Sequence, residues 1–151
     1  MTRAEHAAKL FYDGYNCAQA VTIAFADVTG LTEEFSATMA SSFGGGMGRM
    51  REVCGAVSGM LMVTGLLYGY DDPKATTAKR ELYAQVQEMA AAFRKENGSI
   101  ICRDLLQNPP SNPEPSPRTP AYYSSRPCAR MVATAAQILD AYLESHPMTP
   151  R

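Results

Sequence analysis

Apolar residues recur at helical spacing along most of this chain. Residues 2–12 set Ala7, Leu10 and Phe11 on one side of a helix, with Thr2 as its cap. Residues 17–28 carry Ala20, Val21, Ala24 and Phe25 at the same spacing, and Gly30 stops that helix. Residues 32–43 open on Thr32, Glu33 and Glu34 and direct Phe35, Met39 and Phe43 toward a core. Residues 73–97 form a long amphipathic helix with the apolar stripe Leu82, Val86, Met89, Ala90 and Phe93, ended by Gly98. Residues 99–107 make a short helix capped by Ser99. Residues 127–145 make the last one and turn Met131, Ala135, Ile138, Leu139 and Tyr142 inward.

Residues 52–70 break this amphipathic pattern, because no charge occurs from Val53 through Tyr70. The length is near the lower limit for a membrane span. Gly55, Ser58, Gly59, Thr64, Gly65 and Gly69 dilute its hydrophobicity, and no second span accompanies it, so a span is rejected. A helix apolar all round is buried, which makes this the central helix of the fold. The pairs Gly55/Gly59 and Gly65/Gly69 permit close helix approach, and such a face could also support a homodimer. Residues 108–120 hold six prolines (Pro109, Pro110, Pro113, Pro115, Pro117 and Pro120) and read as an extended loop anchored at its far end by Tyr122 and Tyr123. No period-2 run is long enough for a strand. The expected fold class is all-α: one domain over residues 1–151, a bundle of about five to seven helices around the buried central one.

Composition narrows the function. The chain has 151 residues, 46% of them hydrophobic, and a net charge of −1. That suits a soluble domain with a real core and supplies no basic patch for nucleic acid. The first residues lack the apolar core of a signal peptide, so a cytoplasmic location is expected, where thiols stay reduced. This matters because Cys17, Cys54, Cys102 and Cys128 are spread singly, each near the start of an expected helix. The first helical turn has unpaired N–H groups and partial positive charge, which favour a thiolate. The plain alternative is that free cysteines fill core. No Cys-x-x-Cys pair occurs, so no local metal motif is present, although four helix starts can converge in space.

The turn before Cys54 adds to the picture. Gly44, Gly45, Gly46 and Gly48 permit positive φ and close backbone approach, and Gly45, Gly46, Arg49 and Arg51 form a candidate anion- or substrate-binding group. The other reading is a tight turn and nothing more. Arg103, Arg126 and Arg130 flank Cys102 and Cys128 and could lower their pKa. His6 and His146 lie near the termini, far from any cysteine, so no Cys-His hydrolase is signalled. No Gly-Lys-Ser/Thr follows the glycines, so no kinase-type phosphate loop is present. Met47, Met50, Met60 and Met62 are read as core filling.

These pieces together resemble the redox-active protein family named for its cysteine pattern, C_GCAxxG_C_C. The matching stretches are Tyr15, Asn16, Cys17, Ala18, Gln19, Ala20 and Val21; the glycine turn 44–48; and Cys54, Gly55, Ala56, Val57, Ser58 and Gly59. Cys102, Arg103, Asp104, Leu105 and Leu106 follow, then Cys128. The resemblance implies a small, soluble, helical protein with a redox role, and treats the proline-rich loop as free to vary. Three functions follow in order. The first is a thiol-based redox protein, a candidate oxidoreductase serving a redox partner protein, with Cys17, Cys54, Cys102 and Cys128 as the site and Cys54 as the attacking thiolate. The second is a metal-ion or iron–sulfur cofactor held by the same four thiolates. The third is a structural module with core cysteines.

Overall fold

A computed structural model describes residues 1–148, and among these the regular structure is helical apart from one isolated antiparallel bridge between Val53 and Ile101. Six helices have eight residues or more: α1 (Arg3–Tyr12), α2 (Cys17–Ala24), α4 (Glu33–Ala40), α6 (Gly55–Tyr68), α7 (Thr76–Asn97) and α10 (Cys128–Ser145). Shorter ones are α3 (Ala26–Thr29), α5 (Gly44–Met47), α8 (Cys102–Leu106) and α9 (Pro120–Ser125), with a 3-10 turn at Ser41–Phe43. The class is all-α.

Polar caps set the helix starts. The Thr2 hydroxyl accepts from the Glu5 N–H at 3.1 Å, while the Thr2 N–H donates to Glu5 Oε2 at 3.0 Å. Asn16 and Gln19 repeat the same reciprocal box at the head of α2. Gly30 and Gly98 close α3 and α7 in the left-handed conformation, at φ 77° and 93°.

The core is organised around α2 and α6. Helix α6 packs on α2, α10 and α7, and α1 packs along α10 and α2. Gly55, Ala56, Val57, Gly59, Met60, Val63 and Thr64 of α6 are buried, but Gly65 and Leu66 reach solvent, so burial of this helix ends one turn before its C-terminus. A Cβ at Gly59 would stand 2.8 Å from the Ala18 carbonyl oxygen and 3.1 Å from Val21 Cβ. The Gly55/Gly59 face therefore serves α2 of the same chain. No helix among the described residues is long and apolar enough to cross a membrane.

Several local expectations are corrected. The helix expected over 17–28 breaks at Phe25 into α2 and α3, and the one expected over 32–43 ends at Ala40. Helix α4 buries Ser36 and Ala40, leaving Phe35 exposed, because small side chains let it lie close to α2. The expected start of α6 at residue 52 moves to Gly55, since residues 52–54 pair with 100–102 instead: the Cys54 N–H donates to the Ile100 carbonyl at 2.8 Å and the Cys102 N–H to the Glu52 carbonyl at 2.6 Å. Ser99 does not cap α8. Its hydroxyl instead joins the Ile101 N–H and the Asp104 carboxylate in a local turn. Met60 is buried as expected, whereas Met47 and Met50 are exposed. Helix α9 was not expected. Thr119 caps it and Pro120 sits at its first position, a start signal hidden at the end of the proline run.

Candidate functional site

Four separated chain segments deliver the cysteines to one place. Cys17 is the first residue of α2, behind the Asn16 cap. Cys102 and Cys128 are the first residues of α8 and α10, and Cys54 is the N-cap of α6. All four line a single cavity of about 350 Å³, and no disulfide joins them.

The glycines bring these segments into contact. A Cβ on Gly55 would lie 3.1 Å from Cys17 Cβ, and one on Gly46 would lie 2.6 Å from Cys102 Cβ and 2.9 Å from Arg51 Cα. The turn itself is left-handed: Gly45, Gly46, Met47, Gly48, Arg49 and Arg51 have φ between 60° and 74°. For Met47, Arg49 and Arg51 that backbone costs about 1–3 kcal/mol each. Turn hydrogen bonds offset it, from the Arg49, Arg51 and Glu52 N–H groups to the Gly44, Gly45 and Gly46 carbonyls. The consequence is that Arg51 lies inside, only 4% exposed.

Four arginines line the cavity: Arg49, Arg51, Arg118 and Arg126, with no acidic side chain among its walls. Arg49 reaches over to the proline-rich loop, donating to Asn112 O at 2.6 Å and Ser116 Oγ at 2.7 Å. Arg51 Nε donates to the Pro110 carbonyl at 2.9 Å and Nη1 points to Cys102 Sγ at 3.7 Å, while its buried Nη2 has no partner. Arg118 donates to the Phe11 and Tyr15 carbonyls, both at 3.1 Å, and lies over the Phe11 and Tyr122 rings. Arg126 lies over Tyr122 from the next segment, 4.8 Å from the ring centre. The loop read from sequence as free to vary thus walls the site through Pro113, Pro115, Ser116 and Arg118. Sequence reasoning missed Arg118 and Tyr122 as site residues, since a segment without periodicity gives no signal of what its side chains face. Arg103 and Arg130 do not line the cavity: Arg103 pairs with Glu52 at 3.2 Å on the surface, and Arg130 is exposed.

The four thiols are not equivalent. Cys128 is lowered to about 7, first by the hydrogen bond from the Cys17 thiol and then by Arg126, Arg118 and Arg51, against its own burial. Cys17, which is half-buried, moves well up, first through its interaction with the Cys128 thiol and then through lost solvation. The expected depression of Cys54 is reversed. Burial pushes its thiol up to about 12, and the opposing Ala56 and Val57 N–H groups at the head of α6 are too weak to prevent it. Cys102 is also raised by burial, with Arg51 pulling the other way. The four sulfurs share the cavity without forming a ligand set: among the described residues, no three His, Cys, Asp or Glu side chains are arranged to hold a metal ion.

Compared with known proteins, residues 15–142 match the family described as "Putative redox-active protein (C_GCAxxG_C_C)". No curated protein and no solved structure matches the chain.

Proposed function

The chain belongs to the C_GCAxxG_C_C family of redox-active proteins, and from that premise we propose that it exchanges thiols and disulfides through Cys128 and Cys17. What supports this reading is that Cys17 and Cys128, the first residues of α2 and α10, face the same cavity, with Cys128 lowered to about 7 by the Cys17 thiol and the arginines around it. A nucleophile with pKa near ambient pH combines a substantial thiolate fraction with retained nucleophilicity.

The step balances as follows. The Cys128 thiolate attacks one sulfur of a substrate disulfide, forming a mixed disulfide and releasing the first substrate thiolate. That thiolate takes the Cys17 proton. The Cys17 sulfur then attacks Cys128 Sγ, expels the second substrate thiolate and leaves a Cys17–Cys128 disulfide. Two electrons pass from protein to substrate, and a reducing partner protein returns them. Cys54 and Cys102 stay protonated in this scheme and shape the floor of the cavity. Free thiols at all four positions suit a reducing compartment such as the cytoplasm.

The test is equilibration of the protein in buffers of graded dithiothreitol redox ratio, followed by acid trapping, alkylation and peptide mapping. A disulfide between Cys17 and Cys128, formed with loss of two hydrogens and reversed by reductant, is the expected result. A pair involving Cys54 or Cys102 in its place, or no disulfide across the range, overturns the assignment.

A further inference from the structure

Positive charge in the cavity exceeds what the thiols can neutralise. Arg49, Arg51, Arg118 and Arg126 line it, and none of the four makes an ion pair with a carboxylate among the described residues. One thiolate, that of Cys128, leaves a surplus of positive charge. A guanidinium taken out of water is costly unless anions or acceptors replace its solvation. Arg51 is the sharpest case. It is 4% exposed, its Nε is satisfied by the Pro110 carbonyl, its Nη1 meets only a sulfur, and its Nη2 meets no acceptor. Its left-handed backbone, at φ 60°, is strained for a residue that only fills space.

The rest of the cavity limits the ligand's size and character. About 350 Å³ is small-molecule volume, at the low end of ordinary ligand sites. Phe11, Leu105, Leu106 and Met131 give part of the wall an apolar surface for a carbon skeleton. The proline-rich loop, tied down by Arg49 to Asn112 and Ser116, walls one side and opposes entry of a folded chain.

We propose that the substrate is a low-molecular-weight disulfide carrying carboxylates, one of which pairs with Arg51 Nη2 while a disulfide sulfur meets Cys128. This rests on the thiol–disulfide reading above and uses the same balance of electrons and protons. Arg51 is then a binding residue, and Arg126 and Arg118 favour the anion by field.

Two probe pairs test it separately from that reading. Fully reduced wild-type protein is alkylated with iodoacetate or with its neutral counterpart iodoacetamide, and carboxymethyl and carbamidomethyl Cys128 are counted by peptide mass spectrometry. The iodoacetate-to-iodoacetamide rate ratio should exceed that of free cysteine by about tenfold or more, and fall toward it in about 0.5 M salt. In the second pair, dithiodipropionate should oxidise the Cys17–Cys128 pair about tenfold faster than its uncharged diamide. Arg51→Gln should remove most of both preferences. Arg126→Gln, elsewhere in the cavity wall, should reduce them should the first variant not fold. Alkylation and oxidation rates insensitive to probe charge overturn the anionic substrate and leave the thiol–disulfide reading intact. An iodoacetate preference with no oxidation by either disulfide upholds the anion selectivity and overturns the disulfide chemistry. Oxidation by the disulfides of intact insulin at the dithiodipropionate rate overturns the small-molecule assignment.

Discussion

Replacing Cys17 by alanine removes the group that contributes most to lowering Cys128. With Cys128 at about 7, roughly half of it is thiolate at pH 7. Without the donated hydrogen bond, burial opposes the three arginines and the thiol returns toward the ~8.5 of a free cysteine. At ~8.5 only about 3% is ionised at pH 7, a fall of about 15-fold that the stronger nucleophilicity of a more basic thiolate partly offsets, so alkylation of Cys128 should slow by about 3- to 5-fold. The shift of ~1.5 pH units corresponds to about 2 kcal/mol, within the range of a hydrogen bond to a charged acceptor. The assay is the rate of iodoacetamide modification of Cys128 in reduced, metal-free protein from about pH 5.5 to 9.5, followed peptide by peptide. Wild type should show a midpoint near 7, and Cys17→Ala one displaced upward by more than about a unit. Cys17→Ser separates the hydrogen bond from the cavity left by truncation, because a hydroxyl still donates. It should retain most of the low midpoint. Identical midpoints in wild type and Cys17→Ala would refute the pairing. So would a fast thiol that maps to Cys54.

Two further outcomes follow from the geometry. Gly46→Ala places a methyl 2.6 Å from Cys102 Cβ and 2.9 Å from the Arg51 backbone, at φ 74°, and should destabilise by about 1–3 kcal/mol in urea unfolding; unchanged stability would show that the turn yields freely. Cys54, raised to about 12, contributes stability below its unfolded value of ~8.5 and loses it as pH rises toward the folded value. Unfolding free energy should therefore fall by up to ~1.4 kcal/mol per pH unit above ~8.5 on account of this thiol. Cys54→Ala should be less steep over the same window, and an equal slope in the two proteins would sink the argument.

Local chemistry determined a large part of this protein. Helical spacing gave α1, α2, α7 and α10, because a 3.6-residue period leaves its mark wherever one face is buried; α6 was legible as an uncharged run instead, and the spacing in α4 pointed Phe35 the wrong way. Asn16 before Cys17 and Pro127 before Cys128 marked where two of the cysteine-bearing helices begin. The glycine turn was legible too, since only a backbone free of Cβ fits where Gly46 meets Cys102. What the chain order could not supply was the balance of opposing effects at each sulfur. A helix start and two arginines argued for Cys54 as the reactive thiol, yet the sequence gives no measure of how much solvent is lost there, and desolvation outweighs both. Cys128 differs because folding places the Cys17 thiol and three guanidiniums around it, drawn from segments up to 111 residues away. The proline-rich loop makes the same point: its composition excluded helix, but only tertiary packing put Ser116 and Arg118 in the wall of the site. Secondary structure is written in neighbours along the chain, whereas a thiol's pKa is set by neighbours in space.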